Sequence, residues 1–569
     1  MHLSAVEHIP MSRYAFALDE STLVLRLRSS RGDLVRCTLR YGDRALSDQD
    51  FIFAAQPMAI VAQDTLYDWF ETTLTVPFAR VCYYFELDDG AAVVDYWGDP
   101  LQIADTVARS DYFQFPYIHR NDLADVPAWA KDAIVYNIFP DSFASGKRSL
   151  AAQPGGRAYQ GIPVHSRLGG TLEGILQNLD YIADLGFTLI YLNPIFAAES
   201  YHKYDLLDYY HIDPCFGTDE QFRHLVASCH ARGIKVLIDG VFNHAGWNFF
   251  AFADVVENGR ASKYWDWFYD VREPVQRPAP GQKPDYACFA YVPQMPKTNT
   301  ANPELRDYFC NVGRYWIREF GIDGWRLDVA NEVDDAFWRA FNSAVRAEKQ
   351  DALIIGEVWE NASHYMERGL MDSAMNYDLR KYCRRFFAEQ RIDACEFDAC
   401  VTQMRMRYRT PYAFTQLNLL DSHDVSRFLS LCQGDESRLR LAVVFQMTFI
   451  GMPCVLYGDE QGLTGVSENE YRRPIPWGEA FHPLHAFYRA LIAIRKSHDA
   501  LRRGTYQTLS AAPGSKLYVY CRKDASERVI IAVNCGDDAQ PYSSGGRILL
   551  QSGWQNGILQ PQGYAITID

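Results

Sequence analysis

Leu23, Leu25 and Leu27 alternate with Val24, Arg26 and Arg28, Arg31-Gly32-Asp33 supplies a turn, and Val35, Cys37 and Leu39 alternate again before Tyr41-Gly42-Asp43. An apolar residue at every second position turns one face of an extended chain toward a core and the other toward solvent. Two more runs rich in aromatic and β-branched residues follow, LYDWFETTLTV (66–76) and RVCYYFELDDG (80–90). Strands at this spacing, parted by turn residues and lacking a helical period, predict a β-sandwich over residues 1–125.

Near residue 130 the pattern changes. Short apolar runs now alternate with longer stretches of helical period: AIVYNIFP (133–140), LIYLNPIF (189–196), KVLIDGVF (235–242), GWRLDV (324–329), ALIIGEVW (352–359), AMNYDL (374–379), LNLLDSHD (417–424) and MPCVLYGDE (452–460). Between them, residues 302–321 place Asn302 as an N-cap, Pro303 at the first helical position, and Leu305, Phe309, Val312 and Trp316 on one stripe. Eight buried strands alternating with helices predict an α/β fold, a closed (β/α)8 TIM barrel over residues 126–500. The link from Asn243 to Asn302 far exceeds the roughly 2–6 residues of an ordinary βα loop and contains a Pro-rich stretch (274–284), so a small subdomain, about 245–301, should protrude after strand three. An amphipathic helix near 482–498 ends the barrel, and residues 501–569 return to strand and turn, a C-terminal β-domain.

Composition narrows the class. With 48% hydrophobic and 22% charged residues in 569, disorder and fibrous structure are excluded. The 71 acidic residues outnumber the 56 basic ones, and no Lys/Arg cluster offsets the net charge of −15, so no nucleic-acid partner is expected. No apolar run approaches the ~18–20 residues of a membrane span, and the N-terminal MHLSAVEHIPMSRYAFALDE lacks a basic end followed by an apolar core, so a cytoplasmic location is expected. Thirteen scattered cysteines without a CxxC pair read as buried thiols of a reducing compartment. Aromatics reach 14%, enough for large cores or for surfaces that stack on sugar rings; Tyr67, Trp69, Phe70 and Trp97 are read as sandwich core rather than as a sugar platform.

In a barrel of this kind chemistry sits at the C-terminal ends of the strands. Strand three ends Asp239-Gly-Val-Phe-Asn243-His244; strand four carries Arg326 and Asp328 on one face, with Trp325 and Leu327 on the other; strand five ends Gly356-Glu357-Val358-Trp359; strand seven ends Asp421-Ser-His423-Asp424. One acidic residue at a strand end is usually a helix cap, but four strands delivering carboxylates, an arginine and histidines to one mouth point to a site. Asp239 reads either as part of it or as a support for Arg326. Two carboxylates in unlike surroundings suit glycoside cleavage. Arg326 is expected to keep Asp328 ionised and nucleophilic, and Glu357, beside Trp359 with no cation next to it in sequence, to be the proton donor. That pairing predicts retaining double displacement, with carboxyls ~5–5.5 Å apart.

DGVFNH (239–244), GWRLDVANE (324–332), GEVW (356–359) and LLDSHD (419–424) together resemble the four hallmark segments of the α-amylase family of glycoside hydrolases, family 13, and HKYDLLDYYHIDPCFGT (202–218), MPKTN (295–299) and GMPCVLYGDE (451–460) support it over nearly the whole chain. The VANE ending at Glu332, MPKTN and the added N-terminal domain resemble its neopullulanase, cyclomaltodextrinase and maltogenic amylase branch. The resemblance implies Asp328 as nucleophile, Glu357 as general acid/base and Asp424 as the third carboxylate; Arg326, His244 and His423 bind the same sugar, Tyr204 stacks beneath it, and His202 stands near. It also implies Trp359, Phe289 and Glu332 on the leaving-group side, and Glu468 and Arg472 on the other, with adjacent Arg473 competing for the inward position. Each has a plainer reading as a core, packing or solvated residue. Thr298 replaces the usual Leu of MPKTN and Glu468 the usual Asp. No cofactor is required; the branch often carries a calcium loop after strand one, but DSFASGKRSLAAQPGG (141–156) offers Asp141 nearly alone where calcium wants roughly six to eight oxygens.

The expected activity is hydrolysis of α-1,4-glucosidic bonds in cyclodextrins, maltooligosaccharides and pullulan or starch, releasing maltose, glucose or panose. The resemblance further implies a homodimer, the carbohydrate-binding-like N-terminal domain of one subunit covering the barrel mouth of the other, and no membrane partner. The rival readings are an α-glucanotransferase on the same residues and a non-catalytic sugar-binding paralogue, the latter disfavoured because all three carboxylates are present.

Overall fold

The computed structural model describes residues 1–47, 51–97, 111–146, 150, 155–279 and 282–569. They form two compact units: Met1–Asp125 with Gln390–Ala413 and Gly504–Asp569, and Val126–Glu389 with Phe414–Arg503. These units cut across the linear boundaries, because residues 390–413 lie inside the 126–500 span yet group with the β-rich segments.

The first unit begins with two antiparallel sheets. Ala15–Ala17, Thr22–Ser30, Tyr67–Thr75 and Ala59–Gln63 make one; Ala54–Pro57, Arg36–Asp43 and Val81–Asp88, the last flanked by Val93–Tyr96 and Phe113–Phe115, make the other. Leu23, Leu25 and Leu27 meet Cys37, Leu39, Tyr83 and Phe85 in the shared core, as the alternation requires. The opposite face departs from a solvent reading. Arg26 is buried, pairs with Glu71 at 2.6 Å, and donates to the Tyr408 carbonyl at 2.9 Å, because residues 390–413 cover it. A guanidinium is tolerated there because every polar contact is made inside the unit. Trp69, Phe70 and Trp97 are buried, and Tyr67 lies under the Arg28 guanidinium, so these aromatics pack. The C-terminal residues form one antiparallel sheet around Leu517–Lys523, Arg528–Asn534 and Ile558–Ile568.

The second unit is the barrel. Its parallel strands are Val135–Ile138, Leu189–Leu192, Lys235–Gly240, Gly324–Leu327, Leu353–Gly356, Ser373–Ala374, Leu417–Leu419 and Met452–Leu456. Seven neighbouring pairs are in register, and a parallel bridge between Met375 and Leu417 closes the ring. Val135, Leu189, Tyr191, Leu237, Leu353, Ile355, Leu417 and Met452 fill its interior. Strand six is shorter than AMNYDL suggests: Asn376 caps a helix at Tyr377–Cys383 by accepting from the Leu379 N–H, which withdraws the second half of the run from the sheet. The helix at Pro303–Phe320 forms as expected. Asn302 accepts from the N–H groups of Glu304 and Leu305, the stripe residues are buried, and Gly321 at φ 72° takes the left-handed position that ends it.

Residues 245–301 carry a helix at Phe250–Asn258 and then fold back onto the barrel mouth through bridges of His244 with Lys297 and Phe268 with Thr298. Thr298 is buried, its hydroxyl donating to the Phe242 carbonyl at 2.5 Å, so the residue that departs from the branch pattern helps anchor this return.

Candidate active site

A cavity of about 540 Å³ opens at the C-terminal ends of the barrel strands, within the range of roughly 300–1,000 Å³ usual for ligand sites. Asp328, Glu357, Asp424, His202, Tyr204, His244, Phe289, Glu332, Trp359, Glu468 and Arg472 line it. Arg326 and His423 are wholly buried behind that lining. The three carboxylates and the ten sugar-binding candidates read from sequence are thus brought to one place.

Its floor is organised by Arg326. Alternation along strand four turns Trp325 outward against Phe242 and Phe341 and turns Arg326 inward. Arg326 Nη1 donates to both Asp239 oxygens at 2.7 and 2.8 Å and to Asp328 Oδ1 at 3.1 Å, while Nη2 lies 2.8 Å from Glu357 Oε2. Asp239 is fully buried and outside the cavity wall, which makes it the support of Arg326. Parallel ladder bonds continue past the strands and set the backbone of the two facing carboxyls: Asp328 N–H donates to the Gly240 carbonyl and Glu357 N–H to that of Leu327, each at 2.9 Å.

The electrostatics correct one expectation. Glu357 does have a cation beside it, the Arg326 guanidinium at 2.8 Å, and more hydrogen-bond donors than Asp328: the Val329 N–H at 3.0 Å and the Trp359 indole N–H at 3.1 Å. Asp328 shares a guanidinium already engaged by Asp239. Burial, reinforced by the carboxylates of Glu357, Asp239 and Asp424 and opposed by Arg326, pushes the Asp328 carboxyl well above the usual carboxylate range. Sequence neighbours could not reveal this, because a guanidinium reaches across adjacent strands.

Asp424 is held oppositely. Against burial, His423 at 2.8 Å and Arg472 at 3.0 Å hold its carboxyl well below the ordinary range. Arg472 points inward, donating also to the His423 carbonyl at 2.7 Å and to Glu468 at 2.8 Å, while Arg473 donates to the Glu470 carbonyl outside the cavity lining. Glu468 therefore reaches Arg472 despite its longer stem.

Tyr204 donates to Asp239 at 3.0 Å and lies 2.6 Å from His423 Nε2, its ring parallel to the imidazole within 8°. His244 is buried, and burial, aided by Lys297 and His202, pushes its pKa down to about 3. Its Nε2 has no protein partner, and its ring stacks on Phe289. Glu332 is half exposed and paired with Lys297 at 3.3 Å. Asp141 accepts from the Ser166 hydroxyl and from the N–H groups of Arg167 and Leu168, so backbone and hydroxyl donors occupy both its oxygens. Residues 147–149 and 151–154 of that loop lie outside the described residues.

Several contributors were missed. Val329 holds φ 44°, ψ 47°, a strained conformation for a β-branched residue, and it aims the N–H that meets Glu357. Asn193 donates to His423 at 3.0 Å, Tyr191 donates to Asp239 at 3.0 Å, and Tyr377 backs Trp359. Asn331 and Glu360 join the wall. The Asn in YLNP and the Tyr in MNY stand at strand ends, a signal that could have found Asn193 and Tyr377; the Val329 torsion has no sequence signature.

Residues 137–483 match the family model described as alpha amylase, catalytic domain, and residues 1–119 that of the alpha amylase N-terminal ig-like domain. The chain is 41% identical over 546 residues to a cyclomaltodextrinase of Geobacillus thermopakistaniensis, covering 95% of this chain and 92% of that one. It is 43% identical over 541 residues to neopullulanase 2 of Thermoactinomyces vulgaris, covering 94% and 91%. A solved cyclomaltodextrinase structure superposes with a TM-score of 0.90 at 36% identity over 100% of both chains.

Proposed function

This chain belongs to the α-amylase family of glycoside hydrolases, its cyclomaltodextrinase and neopullulanase branch, and from that membership we propose that it opens cyclodextrins and cleaves maltooligosaccharides and pullulan at α-1,4 bonds by a retaining double displacement. The observation that carries the mechanism is one guanidinium, that of Arg326, in contact with both Asp328 and Glu357 at the cavity floor. A shared arginine draws the carboxyls together and favours the shorter, retaining separation of roughly 5–5.5 Å over the wider gap that accommodates a water.

In this reading Asp328 attacks the anomeric carbon while Glu357 protonates the leaving oxygen. Glu357 then takes a proton from the water that releases the glycosyl group. Asp424, kept ionised by His423 and Arg472, accepts hydrogen bonds from hydroxyls of the sugar at the point of cleavage. Tyr204 stacks beneath that sugar and the free Nε2 of neutral His244 meets a hydroxyl. Phe289, Trp359 and Glu332 border the leaving-group side, and Glu468 and Arg472 the other.

Burial favours the protonated form of Asp328, whereas attack requires that carboxyl ionised and Glu357 protonated. Substrate supplies the shift: the glycosidic oxygen is an acceptor that only protonated Glu357 can serve, and positive charge developing at the anomeric carbon favours ionised Asp328. No cofactor is needed for any of these steps. The reading also includes a homodimer, as the branch resemblance implies, and a location inside the cell, supported by thirteen cysteines that all stand as free thiols. Among the described residues no helix is long and apolar enough to cross a membrane.

The testing experiment is product analysis on β-cyclodextrin, pullulan and soluble starch, with Glu357→Gln as control and the anomer followed by NMR at early times. Fast cyclodextrin opening, slower starch attack, α-configured products and an inert control are expected. Inverted products or an active control would overturn the mechanism, and faster attack on starch would overturn the substrate preference. Transfer to added glucose outpacing hydrolysis would instead favour the glucanotransferase reading, and monomers in sedimentation would remove the dimer.

A further inference from the structure

A second concave site lies wholly within the unit built from Met1–Asp125, Gln390–Ala413 and Gly504–Asp569. It encloses about 500 Å³ between the strand Ala59–Gln63 with the turn after it, the helix Ala394–Met406 and the strand Thr505–Ala511. Both strands are the outermost of their sheets, so the cleft is bordered by sheet edges.

Its chemistry selects among ligands. Two guanidinium groups, Arg31 and Arg405, and two carboxylates, Asp64 and Asp398, line it in equal number, and Arg31 also lies 3.6 Å from Asp68 outside the lining. Asp64 is buried: Oδ1 accepts from the N–H groups of Leu66 and Tyr67 at 2.7 and 2.8 Å, while Oδ2 has no partner among the described residues. Asp398 Oδ1 accepts from the Thr508 hydroxyl at 2.5 Å and that of Tyr518 at 2.8 Å. Arg405 is stacked 4.5 Å over the Tyr506 ring and donates at 3.3 Å to the Tyr506 carbonyl; its Nε is unpartnered among the described residues.

An anion or cation entering this cleft would add an uncompensated charge, and an apolar molecule would cover carboxylate and guanidinium groups without replacing their water. A neutral ligand rich in hydroxyls does neither, because each hydroxyl donates to a carboxylate while accepting from a guanidinium. We propose that this cleft is a second saccharide site that holds a short α-1,4-glucan in addition to the one in the barrel. The choice of glucan rests on the activity proposed above; the preference for a neutral polyhydroxyl ligand does not. The described wall has no aromatic ring on which a sugar could stack, so this site binds more weakly than the barrel mouth.

The test is calorimetric titration of full-length Glu357→Gln protein with maltotriose, alongside the same protein carrying Gln507→Trp or Ser510→Trp. Both positions are exposed on the cleft wall, so that an indole fills it without entering a core. Two bound maltotrioses are expected, the weaker lost in either plugged protein, with hydrogen-exchange protection at 394–405 and 505–511 lost alongside it. One bound maltotriose, or two that survive both plugs, would overturn the proposal. Inorganic phosphate should not bind, and phosphate binding removed by the plugs would mean an anion site instead. Hydrolysis of β-cyclodextrin by the unmutated chain is measured separately: activity with a single binding site refutes only the cleft, and no activity refutes the proposed function.

Discussion

The ring of Tyr377 lies flat against the indole of Trp359, centroids 4.1 Å apart and planes within 11°, and that indole donates to Glu357 Oε1 at 3.1 Å. Trp359 is half exposed at the cavity wall, so the stack restrains an otherwise free side chain. A residue at the start of the helix after strand six thereby fixes a donor to a carboxyl at the end of strand five.

Trp359→Phe keeps the stack and removes the donor. A hydrogen bond to a charged group contributes about 1.5–3 kcal/mol, so kcat should fall roughly 10- to 100-fold. Tyr377→Leu should loosen the same indole and give a smaller loss in the same direction, whereas Tyr377→Phe keeps the ring and should be nearly silent. An undiminished kcat in Trp359→Phe would show that the indole does not support Glu357.

The acid limb of kcat/KM follows from Asp328. Burial and neighbouring carboxylates raise its carboxyl above the ordinary carboxylate pKa of about 4, and attack needs it ionised. Activity should therefore be lost as pH falls through this raised value. His244, pushed down to about 3, stays neutral across that window. His244→Asn should therefore lower kcat/KM without changing the shape of the profile, and a limb near 6.5 that vanishes in this variant would contradict the assignment.

Arg472 bridges Asp424 and Glu468 and is nearly buried. Removing one partner of such a pair typically costs 3–5 kcal/mol, because the other charge stays buried. Arg472→Ala should lower Tm, reduce kcat/KM more than tenfold and raise the pKa of Asp424. Arg473→Ala, whose side chain is outside the cavity lining, should leave kcat/KM within about twofold.

Dialysis against EDTA should leave both Tm and the rate of cyclodextrin opening unchanged, because the proposed chemistry uses only side chains and Asp141 is satisfied by hydroxyl and backbone donors. A Tm that falls in EDTA and recovers with calcium would show that a cation contributes to stability.

The barrel was legible because strands buried on both faces read as unbroken apolar runs, and the helix after the inserted segment because Asn302, Pro303 and its stripe obey local rules. His244, Asp328, Glu357, His423 and Asp424 were legible because each stands at the end of such a run, whereas His202, Tyr204, Phe289, Glu332, Glu468 and Arg472 were read only from the family resemblance. The Arg26 burial was not, since the side chains that cover it lie almost four hundred residues further along the chain. The choice between Arg472 and Arg473 was not either, since consecutive residues differ only in which way the backbone turns.

The sequence by itself determined the fold class, the family and the identity of the groups at the barrel mouth, because strand period, capping and hallmark spacing are local properties. Tertiary structure alone decided how those groups share charge. Arg326 serves Asp239, Asp328 and Glu357 together, Val329 turns a strained N–H toward Glu357, and Tyr377 pins the indole that holds it. Those relations depend on distances across neighbouring strands, and a carboxyl's proton affinity is set by what surrounds it in space.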